Sequence, residues 1–236
     1  HSQSSSSSPS PSSPRLVILY AACTLNKDYL SPYNLEISFT PNLEKFASES
    51  IVFKNHFTES GKSGTAFASI FSGTQADKHG IFRHPAKLKN SSYLITEAFA
   101  DAGFETFFWG DHGMASSALN YSQGVKPENT FTARILNGND PDFLKILDTL
   151  NTDENYRVFI LANFHLTHGP YNTVNLKSFV RAYPSEIAGI PKIEIKTCSK
   201  FSRAKKCNKP SSKPSSSRTE ELLYKSNVNL VDQYFG

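Results

Sequence analysis

The sequence predicts an α/β fold in three layers, a mainly parallel sheet flanked by helices on both faces. Residues 16–23 form a continuous apolar run that suits a strand buried on both faces, and residues 157–163 read as a second strong strand. Helix-patterned segments alternate with strand-patterned ones between and beyond these runs. Hydrophobic residues make up 38% and charged residues 19% of a 236-residue chain, enough for one full core without a disulfide framework.

Residues 1–14 hold nine Ser and three Pro, a composition that cannot bury apolar surface, so they are expected to be a disordered linker. The domain proper is expected over residues 15–236. Leu16–Cys23 is the first strand. Thr40 is positioned as an N-cap and Pro41 as the first helical residue, with Leu43, Phe46 and Ala47 on one face. Ile51, Val52 and Phe53 suggest the start of a second strand. Thr65–Phe71 reads as a short apolar helix stopping at Ser72-Gly73. Tyr93–Ala102 is a helix closed by Gly103, Glu105–Trp109 a strand, Pro141–Leu150 a helix and Arg157–Asn163 a strand. Residues 220–236 resume a helical pattern. No apolar run approaches the length of a membrane helix.

The net charge of +4 is mild and local: residues 195–218 carry eight Lys or Arg and no acid. This stretch, about 196–218, reads as an exposed basic insertion, open to an anionic surface but not specifying nucleic acid. Cys198 and Cys207 lie within it and would pair in an oxidising compartment, leaving Cys23 unpaired. No Cys/His spacing suggests zinc. Asn90 and Asn120 open glycosylation triplets.

Candidate chemistry concentrates in residues 57–67. Gly61-Lys62-Ser63 is not a P-loop, because position 56 is His where that loop has Gly. It is not a nucleophile elbow, because position 65 is Thr where that turn has Gly. A small polar turn opening a helix remains. There Ser63 either caps the helix or presents a hydroxyl to an anion, with Lys62 beside it.

Seven segments, in order, resemble the alkaline phosphatase/sulfatase superfamily. They are Cys23 through Asn34 with its Leu30-Ser31-Pro32-Tyr33 turn, Thr40 through Ala47, Phe53-Lys54-Asn55, and Ser63 through Gly73 with His79-Gly80. Ala102 through Gly110, His168 through Tyr171, and the helix carrying Tyr224, Val228, Asp232 and Gly236 complete the set. The resemblance implies the N-terminal part of a sulfatase-like domain. It implies a hydrolase or phospho-group transferase acting on sulfate or phosphate esters outside the cytoplasm, secreted, periplasmic or membrane-tethered. The substrate would be a small molecule, lipid or glycan ester.

By the same resemblance Ser63 is the catalytic nucleophile, and Lys62 and His168 bind substrate. Ser63 lacks the Cys-x-Pro-x-Arg context of formylglycine sulfatases, so formylglycine is not expected. Gly61-Lys62-Ser63 is closer to lipoteichoic-acid-synthase-type members, which use a hydroxyl directly. A divalent metal (Mn, Mg or Ca) is implied, yet Cys23 occupies the ligand position at the end of the first strand. The remaining ligand motif would fall beyond Asp232. Asp111-His112-Gly113 reads as part of the pocket rim rather than as that motif. His56, His79, His84 and His165 read as turn or packing residues. The alternative is a non-catalytic member that binds an anionic partner.

Overall fold

A computed structural model of the chain describes residues 14–188 and 217–236. The Ser/Pro stretch apart from Pro14, the basic stretch up to Ser216, and Cys198 and Cys207 lie outside the described residues.

Four strands, β1 (Leu16–Ala22), β2 (Glu105–Gly110), β3 (Thr130–Thr132) and β4 (Val158–Phe164), form one sheet in the order β1-β4-β2-β3. Each pairing is parallel. Val158 sits between Leu16 and Glu105, so the central strand is in register with both neighbours. β4 is buried at every position, and its one polar residue, Asn163, is hydrogen-bonded to the backbone of His112 and Ala115. Phe159 and Leu161 enter one cluster with Phe108, whereas Val158, Ile160 and Ala162 enter another with Phe107 and Trp109. This two-residue alternation divides the core between the faces of the sheet.

Five of the helices fall where the sequence places them, and Ala76–His79 and Leu176–Ala182 are helices it did not predict. α1 is Pro41–Ser48, α2 Ser63–Ser72, α3 Ala76–His79, α4 Ile95–Asp101, α5 Pro141–Thr152, α6 Leu176–Ala182 and α7 Ser217–Phe235. α2 ends on Gly73 at φ 64, the left-handed value that glycine adopts without steric cost. Phe67, Phe71 and Phe99 bring α2 and α4 onto one face, and Phe143, Ile146 and Leu150 bring α5 onto the other. Phe67, Phe71 and Ile146 are buried, each contributing about 1.5–3 kcal/mol, and Phe99, Phe143 and Leu150 are partly buried against them. A third cluster joins Leu30 and Phe39 to Leu176 and Phe179 of α6 and to Leu222, Leu223 and Val228 of α7.

Two expectations change. Ile51–Phe53 forms no strand: the β1 partner is β4, and Ile51 and Phe53 are 84% and 68% exposed. Three apolar residues without a pairing strand instead line an open apolar hollow of about 560 Å³ with Leu43 and Phe46 of α1. Thr40 does stand at the N-cap of α1, but its hydroxyl is bonded to Ser31 and caps nothing. Asp232 of α7 supplies the cap, accepting from the backbone N–H of Leu43 at 2.8 Å and of Asn42 at 3.2 Å. The short strand β3 carries no pattern legible in the sequence.

Candidate active site

The carboxyl ends of β1, β4 and β2 are adjacent, because those strands are neighbours in the parallel sheet. Loops leaving such an edge, with the N-termini of the helices that face it, make the ligand crevice of open α/β sheets. β1 runs into Cys23, whose N–H bonds the carbonyl of Phe164 at 3.0 Å. β2 runs into Asp111 and His112, and β4 into the loop carrying His165 and His168.

Ser63 is the first residue of α2, reached through a loop rather than directly from a strand. Its Oγ lies 3.2 Å from Sγ of Cys23, a free and buried thiol. The buried phenol of Tyr121 donates to the carbonyl of Gly64 at 3.0 Å and so fixes the first turn of α2. Thr24 adopts φ 55, a left-handed value uncommon for a non-glycine residue, and its hydroxyl donates to the carbonyl of Thr167 at 2.7 Å. Thr167 returns a hydrogen bond to the carbonyl of Cys23. The loops after β1 and β4 are thereby tied to each other beside Ser63.

Ser63, His84, His112, Gly113, Met114, His165 and His168 line one cleft of about 310 Å³. Of the residues singled out in the sequence, Ser63 and His168 therefore share a cleft, and Cys23 contacts it through Ser63. Lys62 is exposed, one residue outside that wall. His79 packs under α2, bonding Ser69 Oγ and the N–H of Ile81.

His84, His112 and His165 are cleft residues that the sequence reading treated as packing or rim. Single histidines carry no periodic signal; the strand order brings His112 and His165 together, and the connection between α3 and α4 brings His84. His112 is 5% exposed, and its ring packs at a tilt against Phe67 with centroids 5.1 Å apart. Its backbone N–H is held by Oδ1 of Asn163, whose amide also donates to the carbonyl of Ala115. Nδ1 of His112 accepts from the N–H of Met114 at 3.1 Å, so the neutral ring carries its proton on Nε2. Burial, and then the neighbouring His165 and His168, push its pKa down to about 4. His165 moves the other way: Nδ1 lies 2.7 Å from Oδ2 of Asp111, and that bond raises its pKa despite partial burial. His168 donates Nδ1–H to the carbonyl of Gly169 at 2.6 Å. Each of these three rings thus keeps Nε2 as its uncommitted nitrogen, and with the Ser63 hydroxyl they suit an anion's oxygens.

A divalent cation fits these residues poorly. Among the described residues, no three His, Cys, Asp or Glu side chains gather closely enough to hold a metal ion. At the end of β1, moreover, Cys23 offers a soft thiol where hard cations take oxygen.

A family model described as Sulfatase matches residues 16–189. No curated protein matches the chain in sequence. Among solved structures, a Bacteroides thetaiotaomicron protein from a locus for the metabolism of multiple glycosaminoglycans is similar at 15% identity and TM-score 0.63, covering 94% of this chain and 56% of its own. Phosphonate monoester hydrolase of Agrobacterium radiobacter is similar at 15% identity and TM-score 0.55, covering 95% and 58%. The integral membrane lipooligosaccharide phosphoethanolamine transferase A of Neisseria meningitidis is similar at 14% identity and TM-score 0.55, covering 97% and 38%. The chain thus spans well under two thirds of the length of each. No helix among the described residues is long and apolar enough to cross a membrane.

Proposed function

Because the chain belongs to the sulfatase family, we propose that its cleft receives the charged head of a sulfate or phosphate ester and that Ser63 is the nucleophile. The observation that carries this reading is the position of Ser63 at the start of α2, in one cleft with His112, His165 and His168. In the reaction, Ser63 Oγ forms a bond to sulfur or phosphorus, and the ester oxygen leaves with the electron pair and takes up a proton. Water or an acceptor hydroxyl then releases the group from Ser63, giving hydrolysis or transfer. His112 Nε2–H and His168 meet the non-bridging oxygens, and Lys62 attracts the anion from outside the wall. Residues 15–236 would form the N-terminal part of the domain, acting outside the cytoplasm on a small-molecule, lipid or glycan ester.

The purified protein should be assayed against an aryl sulfate, an aryl phosphodiester and an aryl phosphonate monoester, each with and without Mn, Mg or Ca. Turnover that falls at least about 100-fold in Ser63→Ala supports the nucleophile. Turnover that persists in that variant ends the assignment.

One observation favours a second reading, a non-catalytic anion-binding member. The ligand position at the end of β1 holds Cys23, whose thiol lies against Ser63. Cys23→Asp separates the two: a gain of metal-dependent turnover marks an enzyme site weakened at one ligand, and no gain favours binding alone. In that second reading the basic stretch would help to hold an anionic surface.

A further inference from the structure

Asp111 and His165 come from different strand ends, β2 and β4, and meet at 2.7 Å on the wall of the cleft. The contact is built from beneath. Asp111 N–H is bonded to the carbonyl of Asn163 at 3.0 Å, and His168 N–H to the carbonyl of His165 at 2.9 Å, so both backbones are fixed. The Asp111 carboxylate is largely buried, with its side chain 13% accessible, whereas His165 remains 53% accessible. Oδ2 of Asp111 is buried with no well-directed hydrogen bond of its own, so its 2.7 Å approach to Nδ1 is an ion-pair contact that holds the carboxylate beside the ring and leaves Nε2 turned to whatever occupies the cleft. Nothing in the first reading of the site uses this pair.

We infer that Asp111–His165 is the anion contact of the cleft: Asp111 stands against Nδ1 of the imidazole, and Nε2–H of His165 donates to an oxygen of a sulfate or phosphate group. His165 is thus a binding residue and Asp111 a positioning residue. The other groups facing His165 are His112 on the β2 side, His168 on its own loop and His84 from the connection between α3 and α4. Burial lowers the pKa of His112 to about 4, whereas the neighbouring Asp111 raises that of His165, so His165 is the ring on which a positive charge is favoured. The inference rests on the proposal that the cleft takes sulfate or phosphate esters, but it does not require that Ser63 react.

The test is the affinity of the intact protein for inorganic sulfate, whose charge is constant between about pH 5 and 9, measured by calorimetry across that range. Affinity should fall as pH rises through the titration of His165. His165→Gln, which keeps a donor but no titratable charge, should weaken sulfate about tenfold at the acid end and flatten the profile. Asp111→Asn should move the midpoint of the profile to lower pH while leaving the affinity at the acid end within about threefold. NMR titration of the His165 ring gives the same midpoint independently of binding. An unchanged profile in either variant, or no sulfate binding by the wild type, overturns the inference. Ser63→Ala keeps the failures apart. If that variant abolishes turnover while His165→Gln leaves sulfate binding intact, Ser63 stands and the pair falls. If the protein turns over no ester yet shows both shifts, the pair stands and Ser63 falls.

Discussion

Replacing His112 by Asn should make the protein markedly less sensitive to acid. Asn keeps an acceptor where Nδ1 meets the Met114 N–H, but it cannot titrate. In the folded protein the pKa of His112 is pushed from 6.5 down to about 4, chiefly by burial of a side chain that is 5% exposed. Between those two values the unfolded chain binds a proton that the folded one refuses. Stability is therefore intact above the unfolded value and is lost as pH falls through the window. The loss from this residue alone is about 0.2 kcal/mol at pH 7, about 2 kcal/mol at pH 5 and about 3 kcal/mol at pH 4. His165, whose pKa is raised, contributes the opposite slope, but it is present in both proteins and largely cancels in the difference. Urea unfolding of both proteins at several values between pH 7 and pH 4.5 measures that difference. The wild type should lose about 2 kcal/mol more than the variant over the range. A difference constant to within about 0.5 kcal/mol would show that His112 is not held neutral by its surroundings, and would remove its role as a fixed N–H donor.

Gly124→Ala should cost at least about 3 kcal/mol, since Gly124 has φ +76 and an added Cβ would lie 2.6 Å from the backbone nitrogen of Glu97. A fall in Tm of roughly 6–12 °C checks it, and an unchanged Tm contradicts the packing. Gly64→Ala would put a methyl 2.9 Å from Cβ of His84, so about 1–2 kcal/mol of stability and some sulfate affinity should be lost together, read by thermal melting and calorimetry. Asp232→Ala removes the acceptor for two N–H groups at the start of α1 and should cost about 1–2 kcal/mol. The same change at exposed Asp153 provides the baseline, and equal effects at the two sites would refute the capping role.

The sheet was legible wherever burial is two-sided. Strand β4 is apolar except at Asn163 because neighbouring strands and helices enclose it. Helix boundaries were legible where Gly73 and Gly103 adopt positive φ. The failures have physical causes. Ile51–Phe53 shares its composition with a strand, and composition does not reveal whether the folded chain brings such a segment to a sheet edge; here it joins none of the four strands. In the site, Ser63 and His168 were marked by motif, and Cys23 by its place at the end of a strand. Asp111–His165 could not be found that way. The contact joins residues 54 positions apart through a strand order that no local pattern encodes.

The last helix closes structure that begins near residue 24. Tyr224 accepts from the N–H of Asn26 and donates to the carbonyl of Thr24, and Asp232 completes the first turn of a helix nearly 190 residues earlier. During synthesis at roughly 5–20 residues per second, that early segment waits roughly 10–40 s before its partner leaves the ribosome. Over this interval the peptide groups at the start of α1 are left to water or to chaperones. Polypeptides released before Asp232 emerges lack the cap altogether. The rate of translation between α1 and α7 therefore sets how long the first turn of α1 goes without its cap.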